Sequence, residues 1–88
     1  MIIKTMDMII DTNTYDSFAI QFDNRTCMYQ LVAINKNDCS SIVMAIKADR
    51  TLLMSILDNI YDAILQGKRW LNLSAVYTGD DEVKNDEQ

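Results

Sequence analysis

Asp58 and Asp62 stand four residues apart within "LLMSILDNIYDAILQGKRW", residues 52 to 70. That spacing puts two carboxylates on one side of a helix. Paired carboxylates do the work of glycoside hydrolysis, one as acid and the other as base or nucleophile. On a helical wheel, however, both fall on the strip shared with Thr51, Ser55, Asn59 and Gln66, so they read as solvated surface charges. "DTNTYD", residues 11 to 16, alternates oxygen-bearing side chains like the start of a calcium loop, yet it lacks the central glycine and the distal glutamate. It reads as a turn. Cys27 and Cys39 have neither CxxC spacing nor a histidine to complete a zinc site or a thiolate pair, since the chain has no histidine at all. They read as reduced thiols, and Cys39 falls in a polar loop. With only Gly67 and Gly79, no phosphate-cradling glycine loop exists. The expectation is a protein that is not an enzyme, with no catalytic residues, no cofactor and no metal.

The segments that hold these residues form two halves. In the first half the pattern has a period of two. Phe18, Ile20 and Phe22 alternate with Ala19, Gln21 and Asp23, then "DNRT" at 23 to 26 supplies turn residues. "CMYQLVAI" is apolar on both faces, the mark of a central strand. "NKNDCSS" is a loop, and "IVMAIK" at 42 to 47 alternates again, Ile42, Met44 and Ile46 opposite Val43, Ala45 and Lys47. Residues 2 to 10 read as a further, less regular strand. Asp49 is a helix N-cap and Gly67 a left-handed helix stop, which predicts a helix over about 50 to 66. "WLNLSAVY" reads as a last short strand or extended segment. The fold class expected is α+β: an antiparallel sheet of about four to five short strands packed against one long amphipathic helix.

That helix is more apolar than one contact requires. From Leu52, the residues Ala63, Ile56, Ile60, Leu53, Ile64 and Leu57 fill an arc of about 140°, and Tyr61, Met54 and Leu65 extend it to about 220° at 100° per residue. A single sheet covers a stripe of roughly 100°. The surplus lobe of Met54, Tyr61 and Leu65, with Trp70 beyond the helix, is therefore the expected interface. Either the segment from Trp70 folds over the lobe or a second copy covers it, and the second is favoured because the central strand also has two apolar faces.

Charge and composition narrow the partner. The 88 residues carry a net charge of −5, with an apolar content of 49% and a charged content of 24%. Through Asn72 seven basic side chains face eight acidic ones, and thereafter Lys84 stands against five acids. Residues 1 to 77 are expected to form one domain, and 78 to 88 a disordered acidic tail. No apolar run approaches a membrane span or a signal sequence, which predicts a cytoplasmic protein. The expected function is a non-enzymatic protein-interaction module, a small phage or bacterial regulator or inhibitor that binds a host protein and self-associates as a dimer. The alternative is single-stranded nucleic-acid binding. It would use Arg25, Lys36, Lys47, Lys68 and Arg69 with stacking aromatics such as Trp70, Tyr15, Phe18, Phe22 and Tyr29. In the order of its elements, several strands followed by one amphipathic helix, the stretch 17 to 66 resembles the transcriptional coactivator family that binds single-stranded DNA as a dimer. The near-neutral body and acidic tail weigh against a polyanionic partner. Deleting residues 79 to 88 should shift the thermal midpoint by no more than about 2 °C, because so polar a segment has little to bury; a thermal melt of both chains checks this.

Overall fold

The computed structural model describes residues 1–74. The elements run β1 (Ile2–Thr5), β2 (Ile9–Asp11), β3 (Tyr15–Asp23), β4 (Met28–Asn35), β5 (Ser41–Lys47), α1 (Arg50–Leu65) and β6 (Trp70–Leu73). The chain is α+β with one helix of 16 residues among the described residues, as its periodicities predict. Six strands among the described residues divide between two sheets of three. The larger has the order β3-β4-β5, antiparallel throughout. The smaller has the order β2-β1-β6, in which β6 lies parallel to β1. The expected extension of the last strand through 75–77 and the acidic tail lie outside the described residues.

Three turns share one device. Strands β2, β3 and β4 end on Asp11, Asp23 and Asn35, spaced twelve residues apart. In each, the side-chain oxygen accepts a hydrogen bond from the backbone N–H two residues on: Asn13 at 2.9 Å, Arg25 at 3.0 Å and Asn37 at 2.8 Å. Such a bond closes the turn locally, without help from the core. The latter two turns match further. Asp23 and Asn35 each accept, at the backbone carbonyl, from the N–H four residues later, and that residue is a cysteine in the left-handed region, Cys27 at φ 57° and Cys39 at φ 62°. The two cysteines lie in the turns that open and close β4, whose eight residues span about 27 Å. A bond between them is out of reach.

The helix starts and stops where its capping residues direct. The Asp49 carboxylate accepts from Thr51 N–H at 2.9 Å. At the far end Gly67 takes φ 68°, its N–H donates to the Ile64 carbonyl, and Lys68 N–H donates to that of Ala63. This pair of bonds closes a helix through a left-handed residue.

The core forms where the inner faces of both sheets meet the helix. Ile3, Ile10 and Leu73 come from the smaller sheet, Leu31, Ala33, Met44 and Ala45 from the larger, and Leu53, Ile56 and Ile60 from α1. As its two-faced pattern predicts, β4 is central, with Leu31, Val32 and Ala33 all buried. The alternation expected of β5 fails at Met44. The register moves from Val32↔Val43 to Leu31↔Ala45, so Met44 is the extra residue of a bulge. A bulge sets two neighbours against one partner. Met44 and Ala45 therefore both enter the core, and Lys47, paired with Tyr29, shares the helix-side face with Leu31.

A left-handed backbone costs a residue with a Cβ about 1–2 kcal/mol, part of which glycine returns through its freer unfolded chain. Cys39→Gly should accordingly stabilise the fold by roughly 0.5–1 kcal/mol. The check is urea unfolding, where the midpoint should rise at constant slope.

Candidate functional site: an apolar flank of the helix beside an open strand edge

The helix buries a narrower stripe than its sequence offers. Leu53, Ile56, Ile60 and Ala63 are buried and Leu57 is half-buried. On the wheel these occupy about 20° to 140° at 100° per residue. Met54, Tyr61 and Leu65, the expected surplus lobe, are all exposed, Tyr61 at 60% and Leu65 at 66%. Leu52 and Ile64, expected on the buried arc, are about half exposed; Ile64 adjoins the lobe, whereas Leu52 lies on the other side of the buried stripe. Helical spacing gives the width of the apolar arc, and packing on the sheets decides which part of it is covered.

The exposed flank is shaped as well as apolar. Leu57, Ile60, Tyr61 and Ile64 of α1 and Phe18 of β3 line a groove of about 270 Å³, with Asp58 at its margin. The groove places the lobe on the β3 side of the helix. Among the described residues strand β3 is an edge of its sheet, paired with β4 alone. Along it, Phe18 and Ile20 are half-buried and Phe22, tilted against Tyr29 with ring centroids 5.0 Å apart, is 47% exposed. A strand edge, a groove and an apolar helix flank thus form one continuous surface. Asp58 and Asp62 are exposed on the helix, as expected of surface charges.

Trp70 does not join this surface. It lies in β6 opposite Ile2 of β1, on the face of the smaller sheet that points away from the core, and it is 67% exposed. With Ile2 and Ile9 it forms a separate apolar patch. Residues 70–73 therefore pair with β1 and leave the helix lobe open.

The basic residues considered for nucleic acid are dispersed. Arg25 is in the β3–β4 turn, 3.8 Å from the Asp23 carboxylate, and Lys36 is in the β4–β5 turn at the opposite end of the sheet. Lys68 and Arg69 follow the helix and line a shallow cleft with Trp70, Leu71 and Asn72. Lys47 is only 7% exposed, because the β5 bulge turns it toward the core side, so it offers little surface to a phosphate.

Electrostatically the surface is quiet. Asp38 has its carboxyl held below the usual carboxylate range by the Ser40 hydroxyl and then the Ser40 N–H, which it accepts at 2.7 and 2.9 Å. It works in a turn. Among the described residues no three His, Cys, Asp or Glu side chains converge as metal ligands, and no helix is long and apolar enough to cross a membrane. The two exposed thiols are unpaired with each other. Comparison with protein-family models, with curated proteins and with solved structures finds no match.

Helical spacing marked Met54, Tyr61 and Leu65 as surplus, and they are exposed; it did not mark Ile64 or the part of β3 beside them. Period two marks β3 as a strand; which strand is left at an edge depends on pairing that local patterns do not encode.

Proposed function

We propose that this protein is a non-enzymatic protein-interaction module that self-associates, in the manner of a small phage or bacterial regulator or inhibitor of a host protein. The observation that carries the reading is the apolar flank of α1, where Met54, Tyr61, Ile64 and Leu65 stand exposed beside a groove. Four large apolar side chains exposed along one flank of a 16-residue helix form more than the scattered single contacts of an ordinary surface. Aromatic anchors such as Tyr61 dominate the energetics of protein interfaces. Trp70 offers a second such anchor on the smaller sheet.

A second reading draws on the cleft lined by Lys68, Arg69 and Trp70, where two cations adjoin an exposed indole. That pairing suits a stacked base and its phosphate. Two adjacent cations make a short electrostatic footprint, and the net charge of −5 opposes it.

Two measurements test the choice. By sedimentation at micromolar concentration the protein should run as a dimer or larger species, and Met54→Lys with Tyr61→Asp should yield monomers with an unchanged far-ultraviolet spectrum, since both side chains are exposed. A wild-type monomer across that range overturns self-association. Anisotropy of a labelled single strand should show binding no tighter than about 10 µM at 150 mM salt, the range of non-specific contacts. Submicromolar binding that is lost in Lys68→Glu/Arg69→Glu would establish the nucleic-acid reading instead.

A further inference from the structure

We infer that the partner seated on the α1 flank is a second copy of this chain, joined through an antiparallel pairing of β3 with its counterpart into one six-stranded sheet. The inference rests on the protein-interaction reading above and specifies the partner and its mode of contact. It starts from the edge. Strand β3 has nine residues, "YDSFAIQFD", with no Lys, Arg or Pro to discourage pairing. Open edges usually carry such guards, since unpaired N–H and C=O groups are a template for another strand. The other long edge, β5, carries the inward Lys47, one of the usual guards.

The register follows from the residues. The bulge between Tyr15 and Ser17 leaves Ser17 to Asp23 as the regular part of β3, centred on Ile20. A two-fold axis at Ile20 sets Ile20 opposite Ile20 of the second copy and Phe18 opposite its Phe22. These are the helix-side residues of β3, and Phe22 is half exposed in the isolated chain. On the other face Ala19 meets Gln21, and Ser17 meets Asp23, a hydroxyl opposite a carboxylate. A slip of one residue in either direction puts the two helices on opposite faces of the sheet, and in one direction it also places Asp16 opposite Asp23. Like charges directly opposed are unfavourable, and a one-residue slip exchanges faces. Charge and burial therefore select the same register.

That register also closes the groove. Because α1 touches β3, β4 and β5 alike, its axis lies over the central β4. Two such helices on one face sit three strand spacings apart, about 14 Å. Direct helix packing needs 8–10 Å, so long side chains must fill the difference. Tyr61, Met54 and Leu65 project into that space from both copies, with Ile64 and Phe18 beneath. Phe22, Met54, Tyr61, Ile64 and Leu65 together expose on the order of 500 Å², taking roughly 200 Å² for a large side chain. Added to a strand backbone, this approaches the roughly 800 Å² per partner of a stable dimer. The contact is self-complementary, as a two-fold interface requires.

The experiment uses the full chain with Cys27→Asn and Cys39→Asn, replacements suited to left-handed backbone, and a nitroxide on a new cysteine at Gln21 or at Ser41. Both sites are exposed. In the six-stranded sheet the Gln21 backbones of the two copies lie within about 10 Å, and those of Ser41, on the far strands, more than about 20 Å apart. Strong dipolar broadening at position 21, little at 41, and removal of both by dilution with unlabelled protein are expected. Phe22→Lys in the unlabelled chain should weaken the dimer at least tenfold. A dimer without broadening at 21, or with it at 41, overturns the edge pairing while leaving self-association standing. A monomer at all concentrations overturns both.

Discussion

The stripe of Leu53, Ile56, Ile60 and Ala63 holds the two sheets in one body. Each sheet has only three strands, those of the smaller sheet four residues or fewer, and each has an apolar face to cover. The helix is the element they share: it packs on all three strands of the larger sheet and on β6 of the smaller. Its caps matter for the same reason. Asp49 fixes where the stripe begins and the left-handed Gly67 turns the chain toward β1, so that the Arg69 carbonyl can accept from Ile2 N–H at 2.9 Å and β6 can begin.

Serving two sheets explains why the helix is so apolar and why its arc is not fully used. The stripe that faces inward is fixed by the strands, and the flank beyond it follows the open side of β3. The bulge at Met44 has a related effect on the opposite edge. It packs two consecutive side chains inward and brings Lys47 with them, which leaves the two margins of the larger sheet chemically unlike: one basic and inward, the other apolar and open.

How much of this was legible depends on the range of the interaction. The helix limits were readable because caps act within one turn, and Asp49 and Gly67 announce them. The centrality of β4 was readable because Leu31 and Val32 are apolar on successive positions. The recurrence of Asp11, Asp23 and Asn35 at intervals of twelve was also present in the letters, and it marks the strand ends. The split into two sheets was not, since Ile2 finds Trp70 through pairing that no local pattern encodes. The phase change at Met44 was hidden for a different reason: Ile42, Met44 and Ile46 fit an unbroken alternation equally well. Within the candidate site, Tyr61 was legible from helical spacing and Ile64 was not, because coverage depends on packing against the sheets.

The parallel pairing of β1 with β6 has a consequence for how the chain reaches this state. Ile3 and Ile10 belong to a local hairpin, but they share the core with Leu53, Ile60 and Leu73, which lie far along the chain. Until β6 pairs with it, β1 lacks its parallel neighbour. Ordering such distant segments carries a loop-closure cost before any contact rewards it. Among the described strands, the pairing of β1 with β6 therefore closes the longest loop, and its cost has to be met by the core that it completes.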